Sequence, residues 1–406
     1  QQVSLYPCRH VIALPVGERT AMRRIPVILA IIGLFLFSCS DSDSPVEPDP
    51  EVSFSFIHHQ DIATEGAADF EAFEIGGQSY LAVANASDGG DVNIDSKIYR
   101  WDADSFVVFQ LIPTSQASDW EYFEIGSESY LAVANLYNGS TTSIDSKIYR
   151  WSGAAFVESQ SIPTNGAIDW EYFEIGTESY LAVANEHQDS NYDIDSKIYR
   201  WNGASFFEFQ SIPTNGALGW EFFTAGTDSF LALANGLNGG TYNTDSKIYR
   251  WNGSSFVEFQ SIPTNRATSW ESFEIGGDVY IAVANYSNET TQDIDSKIYL
   301  WNGMSFTEYQ SIRTNGATDL EYFSIGSDSF LAAAHYYSTA AASYNIDSKI
   351  YIWNGSYFVD HQAVTTSGAQ DWEHFTVGGD HYLGCANQRN GPAFQIDSII
   401  LKRVAE

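Results

Sequence analysis

The chain is poor in cysteine, in positive charge and in every local signature of catalysis. Three cysteines in 406 residues, Cys8, Cys39 and Cys385, offer no disulfide framework. Nineteen lysines and arginines face 52 aspartates and glutamates, a net charge of −33, which disfavours nucleic-acid binding and adhesion to anionic surfaces. An exterior of that sign attracts divalent cations and cationic partners instead. The eight histidines, His10, His58, His59, His187, His335, His361, His374 and His381, are scattered. No HExxH, GxSxG or CxxC pattern and no phosphate-cradling glycine loop accompanies them, so the chain reads as a non-enzyme. Helical periodicity is missing as well: no stretch sustains it over three turns.

What is present is a repeat. The segment WEYFEIGTESYLAVANEHQDSNYDIDSKIYRW, Trp170 to Trp201, returns fifty residues earlier as WEYFEIGSESYLAVANLYNGSTTSIDSKIYRW. Its glutamate recurs seven times, at Glu71, Glu121, Glu171, Glu221, Glu271, Glu321 and Glu373. The last step is fifty-two residues because the sixth copy carries the longer loop HYYSTAAASYNI. Such a period means a stacked or ring-closed architecture.

Each copy holds four runs rich in aromatic and β-branched residues and bounded by Gly, Asn, Asp or Pro, which is how strands read. In the third copy these are strand A (Trp170–Ile175), strand B (Ser179–Ala184) and strand C (Ser196–Trp201), preceded by strand D of the copy before (Phe156–Ile162). Four antiparallel strands, seven times over, make an all-β seven-bladed β-propeller. The chain enters with a lone D-like run, Phe54–Ile62, and finishes on a C-like run, Ser398–Arg403. An N-terminal strand therefore completes the last blade and closes the ring, which also deals with the open sheet edge.

The block G-A-x-D-W-E-x-F-x-I-G-x-x-x-Y-L-A-V-A-N, followed by S-x-I-Y-x-W and F-x-x-x-Q, resembles the EAR repeat, also called EPTP. That repeat builds the seven-bladed propellers of LGI-type secreted neuronal proteins and related receptors. The resemblance spans about Phe54 to Arg403 and departs at Gly219 and Ser269 (for Asp), Leu320 (for Trp) and His335 (for Asn). It implies a propeller with a protein-binding role at cell surfaces rather than an enzyme.

The chain is expected to divide into a leader (residues 1–21), a lipoprotein signal peptide (22–39), an acidic tether (40–52) and the propeller (53–404). Met22, two arginines, the 13-residue apolar run Ile25–Phe37 and a small residue before Cys39 form the charged, apolar and cleavage regions of an export signal. The run is short for a membrane span. Leu36-Phe37-Ser38-Cys39 resembles the lipobox of bacterial lipoproteins, whose cysteine is acylated, with an ordinary signal peptide as the alternative. Ser40 resembles the residue that directs such proteins to the outer membrane. The expected location is the bacterial cell envelope, with membrane contact through the lipid anchor alone. Asp41–Pro50, with three prolines, is a solvated tether.

Two candidate sites follow. The B–C loops differ most between copies, and variable loops on a rigid scaffold are where binding usually lies. Their aromatics, Tyr137, Tyr192, Tyr242, Tyr286, Tyr336 and Tyr337, are expected to be exposed and to form the partner surface; drift in solvated loops is the bland alternative. Asp69, Asp119, Asp169, Asp319 and Asp371 begin strand A, the innermost strand. Converging carboxylates repel, and a hard oxygen-seeking cation, Ca2+, would relieve that. The competing expectation is that each aspartate caps its own D–A turn. The seven-fold glutamates and Asp-Ser pairs, present in every copy, are expected to accept hydrogen bonds within or between blades and to fix the ends of the B–C loops, respectively. The functional expectation is a lipid-anchored protein-binding module, with a calcium-dependent glycan-binding propeller as the alternative and a propeller hydrolase or lyase a distant third.

Overall fold

In the computed structural model, residues 54–405 are described; Cys8, Cys39 and the whole of 1–53 lie outside them. The described chain consists of 28 β-strands grouped into seven four-stranded sheets. Strand β1 (Phe54–Ala63) is followed by blade 1, made of β2 (Ala67–Ile75), β3 (Gln78–Asn85), β4 (Asp95–Asp102) and β5 (Ser105–Pro113). Blades 2 to 6 are β6–β9 (117–165), β10–β13 (167–215), β14–β17 (217–265), β18–β21 (267–313) and β22–β25 (317–367). Blade 7 contains β26 (Ala369–Val377), β27 (Asp380–Asn387) and β28 (Asp397–Ala405). Its fourth strand is β1, paired antiparallel with β28 from Phe54↔Ala405 to Ala63↔Asp397. The expected ring closure is therefore present.

The strands run further toward the B–C end than their composition suggests. In blade 3, strand C begins at Asp193 rather than Ser196, and the preceding strand D continues through Pro163 to Asn165. Proline is tolerated there because D is the outer strand and its N–H side faces solvent. Only Gly166, at φ 58°, separates that strand from Ala167, the start of the next strand A. A bulge then follows in every blade, as between Ala167 and Asp169. Bulges re-aim side chains, and here the following residues alternate. Asp169 and Glu171 face the next blade, and Trp170 faces the previous one, packed with Phe123, Tyr130 and Ala132.

The core lies between blades. Strand B is buried almost throughout, with Leu131, Ala132, Val133 and Ala134 fully covered. Its small residues let neighbouring blades approach, and aromatics from strands A, C and D fill the wedge. Trp120, 1% exposed, is typical of these. Burying such a ring removes ~150–250 Å² from water, on the order of 4–6 kcal/mol at ~25 cal/mol/Å².

Three polar rings fasten this core. Each glutamate of strand A accepts from the backbone N–H of the next blade, from Tyr122 N to Glu71 (2.9 Å) round to Ala72 N to Glu373 (3.0 Å). In the outer layer each strand-D glutamine clamps the next blade in both directions, as where Gln160 donates to Phe206 O (2.7 Å) and accepts from Phe206 N (2.9 Å). At the B–C end Ser96, fully buried, donates to or accepts from Thr114 (2.8 Å), and its hydroxyl also accepts from Asn85 N (3.2 Å). In the Asp-Ser pair the serine does this work, while Asp95 is exposed and lends its backbone carbonyl, which accepts from Asn85 Nδ2.

Candidate functional site

The D–A turns and B–C loops meet at one end of the central channel, around a mouth of about 370 Å³. Its lining includes Asp69, Asp119, Asp169, Asp319 and Asp371 together with Arg266, Tyr286, Tyr336, Gln370 and Gln388. Beneath lies a second compartment of about 250 Å³, walled by the same aspartates and by all seven glutamates of strand A.

The aspartates do converge on the channel, but not as caps of their own turns. Trp120 N donates to Asp69 (2.9 Å), Trp170 N to Asp119 (2.9 Å), Trp220 N to Asp169 (2.8 Å), Trp372 N to Asp319 (3.3 Å) and Phe70 N to Asp371 (3.1 Å). Each spans two blades, because the bulge at the start of strand A turns the carboxylate toward its neighbour. Gly219 and Ser269 leave a gap in this ring at blades 4 and 5. Among the described residues, no three His, Cys, Asp or Glu side chains stand close enough together to hold one metal ion.

Enclosure by protein disfavours the charged form of these groups, and neighbouring carboxylates add to it. Burial, then the charge of Asp319, push Asp69 up to about 7 against the pull of its backbone donors. Burial and the charge of Asp69 push Glu71 up to about 8. Burial holds Glu221 at about 7 and Asp319 at about 6. Burial and mutual repulsion hold Asp119, Glu121 and Glu321 well above the ordinary carboxylate range. The channel wall is thus partly protonated near neutrality.

The six tyrosines expected on the loop face are all half-buried rather than freely exposed. They do not form one surface. Tyr137 lines a separate groove of about 410 Å³ with His187 and Asp189. Tyr192 stacks on His187, centroids 5.0 Å apart. Tyr286 and Tyr336 are neighbours on the mouth (6.0 Å), and Tyr337 packs on Tyr344 (4.7 Å). Two arginines that sequence reasoning passed over organise the rest. The Arg266 guanidinium lies over Tyr242 (4.8 Å) and Tyr286 (5.1 Å), and that of Arg389 over Tyr344 (4.7 Å) and Phe394 (4.6 Å). The signal was in the turns: five of the seven copies place glycine at the Arg266 position, with Gln116 the other exception.

His335 is a structural substitution. Its Nδ1 meets Asp347 O (2.8 Å), the contact that Asn Nδ2 makes in other blades, and burial pushes its pKa down to about 4. Cys385 is free and fully buried, in keeping with a small apolar core residue.

The EPTP domain model matches seven times, at residues 55–102, 105–152, 155–202, 205–252, 255–302, 305–354 and 358–404. The chain belongs to the EPTP family. Over 58 residues it is 48% identical to a thrombospondin-type laminin G domain and EAR repeat-containing protein of Mus musculus, and over 46 residues 54% identical to that of Homo sapiens. Those stretches are 14% and 11% of this chain and 9% and 7% of the relatives, so the likeness is to individual EPTP repeats and not to whole proteins. Among solved structures, the β-propeller domain of Myceliophteria thermophila Cps50 (Swd1) superposes with a TM-score of 0.55 at 10% identity, over 86% of this chain and 99% of that one. That match concerns the fold of the EPTP ring alone.

Proposed function

We propose that this EPTP propeller is a non-catalytic protein-binding module of the cell envelope, engaging its partner with the mouth formed by the D–A turns and B–C loops. The observation that carries the reading is where the repeat loses its symmetry. The glutamate and glutamine rings recur in every blade, whereas the mouth gathers the residues that differ from blade to blade: Gln116, Arg266, the gap at Gly219 and Ser269, and the long loop of blade 6. Structural needs are met identically seven times; a ligand needs one place. Acylation of Cys39 would hold the module at the outer membrane, with the acidic tether as spacer.

Calcium in the channel is a second reading, motivated by the five aspartates that line the mouth, where burial first and neighbouring carboxylates second lift Asp69 and Asp119. With one oxygen of each aspartate committed to a backbone N–H, a hydrated ion on the remaining oxygens fits better than direct enclosure. A calcium-dependent glycan ligand is the alternative to protein, but Tyr242 and Tyr286 already hold Arg266 against their rings, which leaves less aromatic surface for stacking a sugar.

The test is photo-crosslinking from two ends. A benzoylphenylalanine at Tyr336, on the mouth, should capture a partner from envelope preparations. The same group at Tyr357, 51% exposed in the loop joining strands C and D of blade 6, should not. Capture from Tyr357 alone would overturn the assignment of the face.

A further inference from the structure

From the mouth outward, the contacts described above join into a continuous arc over blades 4 to 7. Tyr242, Arg266 and Tyr286 form one sandwich, and Tyr344, Arg389 and Phe394 form another. Tyr336 bridges them, 6.0 Å from Tyr286 and 5.2 Å from Tyr344. The ring faces are taken up by guanidiniums and by one another. What the arc offers to an incoming molecule is the edge of each guanidinium, where the N–H donors are.

Those edges have no anionic partner among the described residues. Every lysine of the described C strands is ion-paired, from Lys97 with Glu65 through Lys147, Lys197, Lys247, Lys297 and Lys349 to Lys402 with Asp380. Four described arginines form no ion pair: Arg100 and Arg403 on C strands, and Arg266 and Arg389, the two that stand in the D–A turns and B–C loops of the mouth end. Arg389 spends Nε on Gly391 O (2.8 Å), and its guanidinium also stands beside the Tyr336 hydroxyl, which fixes the fork. Arg266 is held at φ 46°, a left-handed conformation that five of its six counterparts fill with glycine. A flat, stacked guanidinium with a free edge is preorganised for bidentate contact with a carboxylate.

Resting on the reading of the mouth as a protein-binding face, we infer that the partner presents an acidic peptide segment, whose carboxylates are received by Arg266 and Arg389. The net charge of −33 opposes this at long range. In ~0.15 M salt, however, repulsion is screened beyond ~8 Å, while a guanidinium–carboxylate contact at ~3 Å is not. Charge on the rest of the surface then serves to reject acidic segments that miss the arc.

The experiment measures fluorescence anisotropy of labelled twelve-residue peptides, one rich in Glu, one Gly-Ser and one rich in Lys, at ~0.15 M salt. Wild type should bind the Glu-rich peptide best. Arg266→Gly and Arg389→Ser should each weaken it by about tenfold or more, the size of one lost charge-assisted contact. Both changes install the residue of another copy, Gly216 and Ser287, so a melting temperature at or above wild type separates lost contact from lost fold. Equal binding of the Gly-Ser peptide, or full retention by the double variant, overturns the inference. So does binding of a uronate oligosaccharide in place of the Glu-rich peptide, which would give the arc to a glycan. If Tyr336 crosslinks its partner equally well in the double variant, the face stands and the acidic segment falls. If Tyr336 captures nothing while the Glu-rich peptide binds, the face reading is what fails.

Discussion

Phe56 and Gln362 lie 306 residues apart and exchange two hydrogen bonds: Phe56 N donates to Gln362 Oε1 at 2.9 Å, and Gln362 Nε2 donates to Phe56 O at 2.7 Å. The pair repeats the clamp of Gln210 on Phe256, where the chain is locally continuous. The closing seam is therefore built like the other junctions. Gln362→Ala and Gln210→Ala should cost alike, each about 1–3 kcal/mol, because two part-buried backbone groups lose their partners. Urea denaturation checks this. Deletion through Ile62 removes all but the last residue of β1 and should lower the melting temperature far more than either; an unchanged melt would contradict the closure.

The channel carboxylates set an unusual pH dependence. With Asp319 at about 6, Asp69 and Glu221 at about 7 and Glu71 at about 8, the folded state holds protons that the unfolded chain has released above ~4.5. Where the native state binds more protons, stability falls as pH rises. His335 and His374, both pushed down to about 4 by burial, act oppositely below ~6.5. With His381, also lowered by burial, they are three groups against twelve carboxylates. The melting temperature should fall between pH 5.5 and 8, as read by circular dichroism, and excess calcium should recover part of the loss at pH 8 if the channel takes a cation.

Charge and hydrogen bonding can be separated at one position. Glu71→Gln keeps an oxygen for Tyr122 N, so at pH 8 it should be neutral or stabilising and should flatten the pH profile. Glu71→Ala leaves that N–H without its acceptor and should cost about 1–3 kcal/mol. Thermal melts of the two variants at pH 5.5 and 8 decide the matter.

Reversion of His335→Asn is expected to stabilise the protein. In other blades the asparagine oxygen accepts a backbone N–H, as Asn135 does from Ser115, and His335 Nε2 is left buried without a partner. Restoring one such bond is worth ~1 kcal/mol, measurable as a rise in the denaturant midpoint.

Much of this was legible in the sequence, for a physical reason. A side chain that repeats in seven blades meets the same surroundings seven times, so Glu71 to Glu373 and the closing strand at Phe54 could be read without coordinates. The glutamine of F-x-x-x-Q was visible in the repeat too, yet its partner is a backbone group some 46 residues on, which no local pattern marks. The mouth was harder. The tyrosines could be picked out as loop aromatics, but their half-burial depends on Arg266 and Arg389 arriving from a different turn and a different blade. The aspartates line the channel mouth, and the choice between own turn and next blade rested on a bulge that composition does not reveal.

The central claim, that the mouth loops of blades 4 to 7 carry the binding function, is tested most directly by a loop exchange. The blade-5 and blade-6 B–C loops would be replaced by that of blade 2, Leu136–Thr142, leaving the glutamate and glutamine rings intact, and affinity for the partner crosslinked from Tyr336 would be measured by calorimetry. The account predicts a melting temperature within a few degrees of wild type and loss of binding. Full binding by the exchanged protein would show that the partner is held elsewhere.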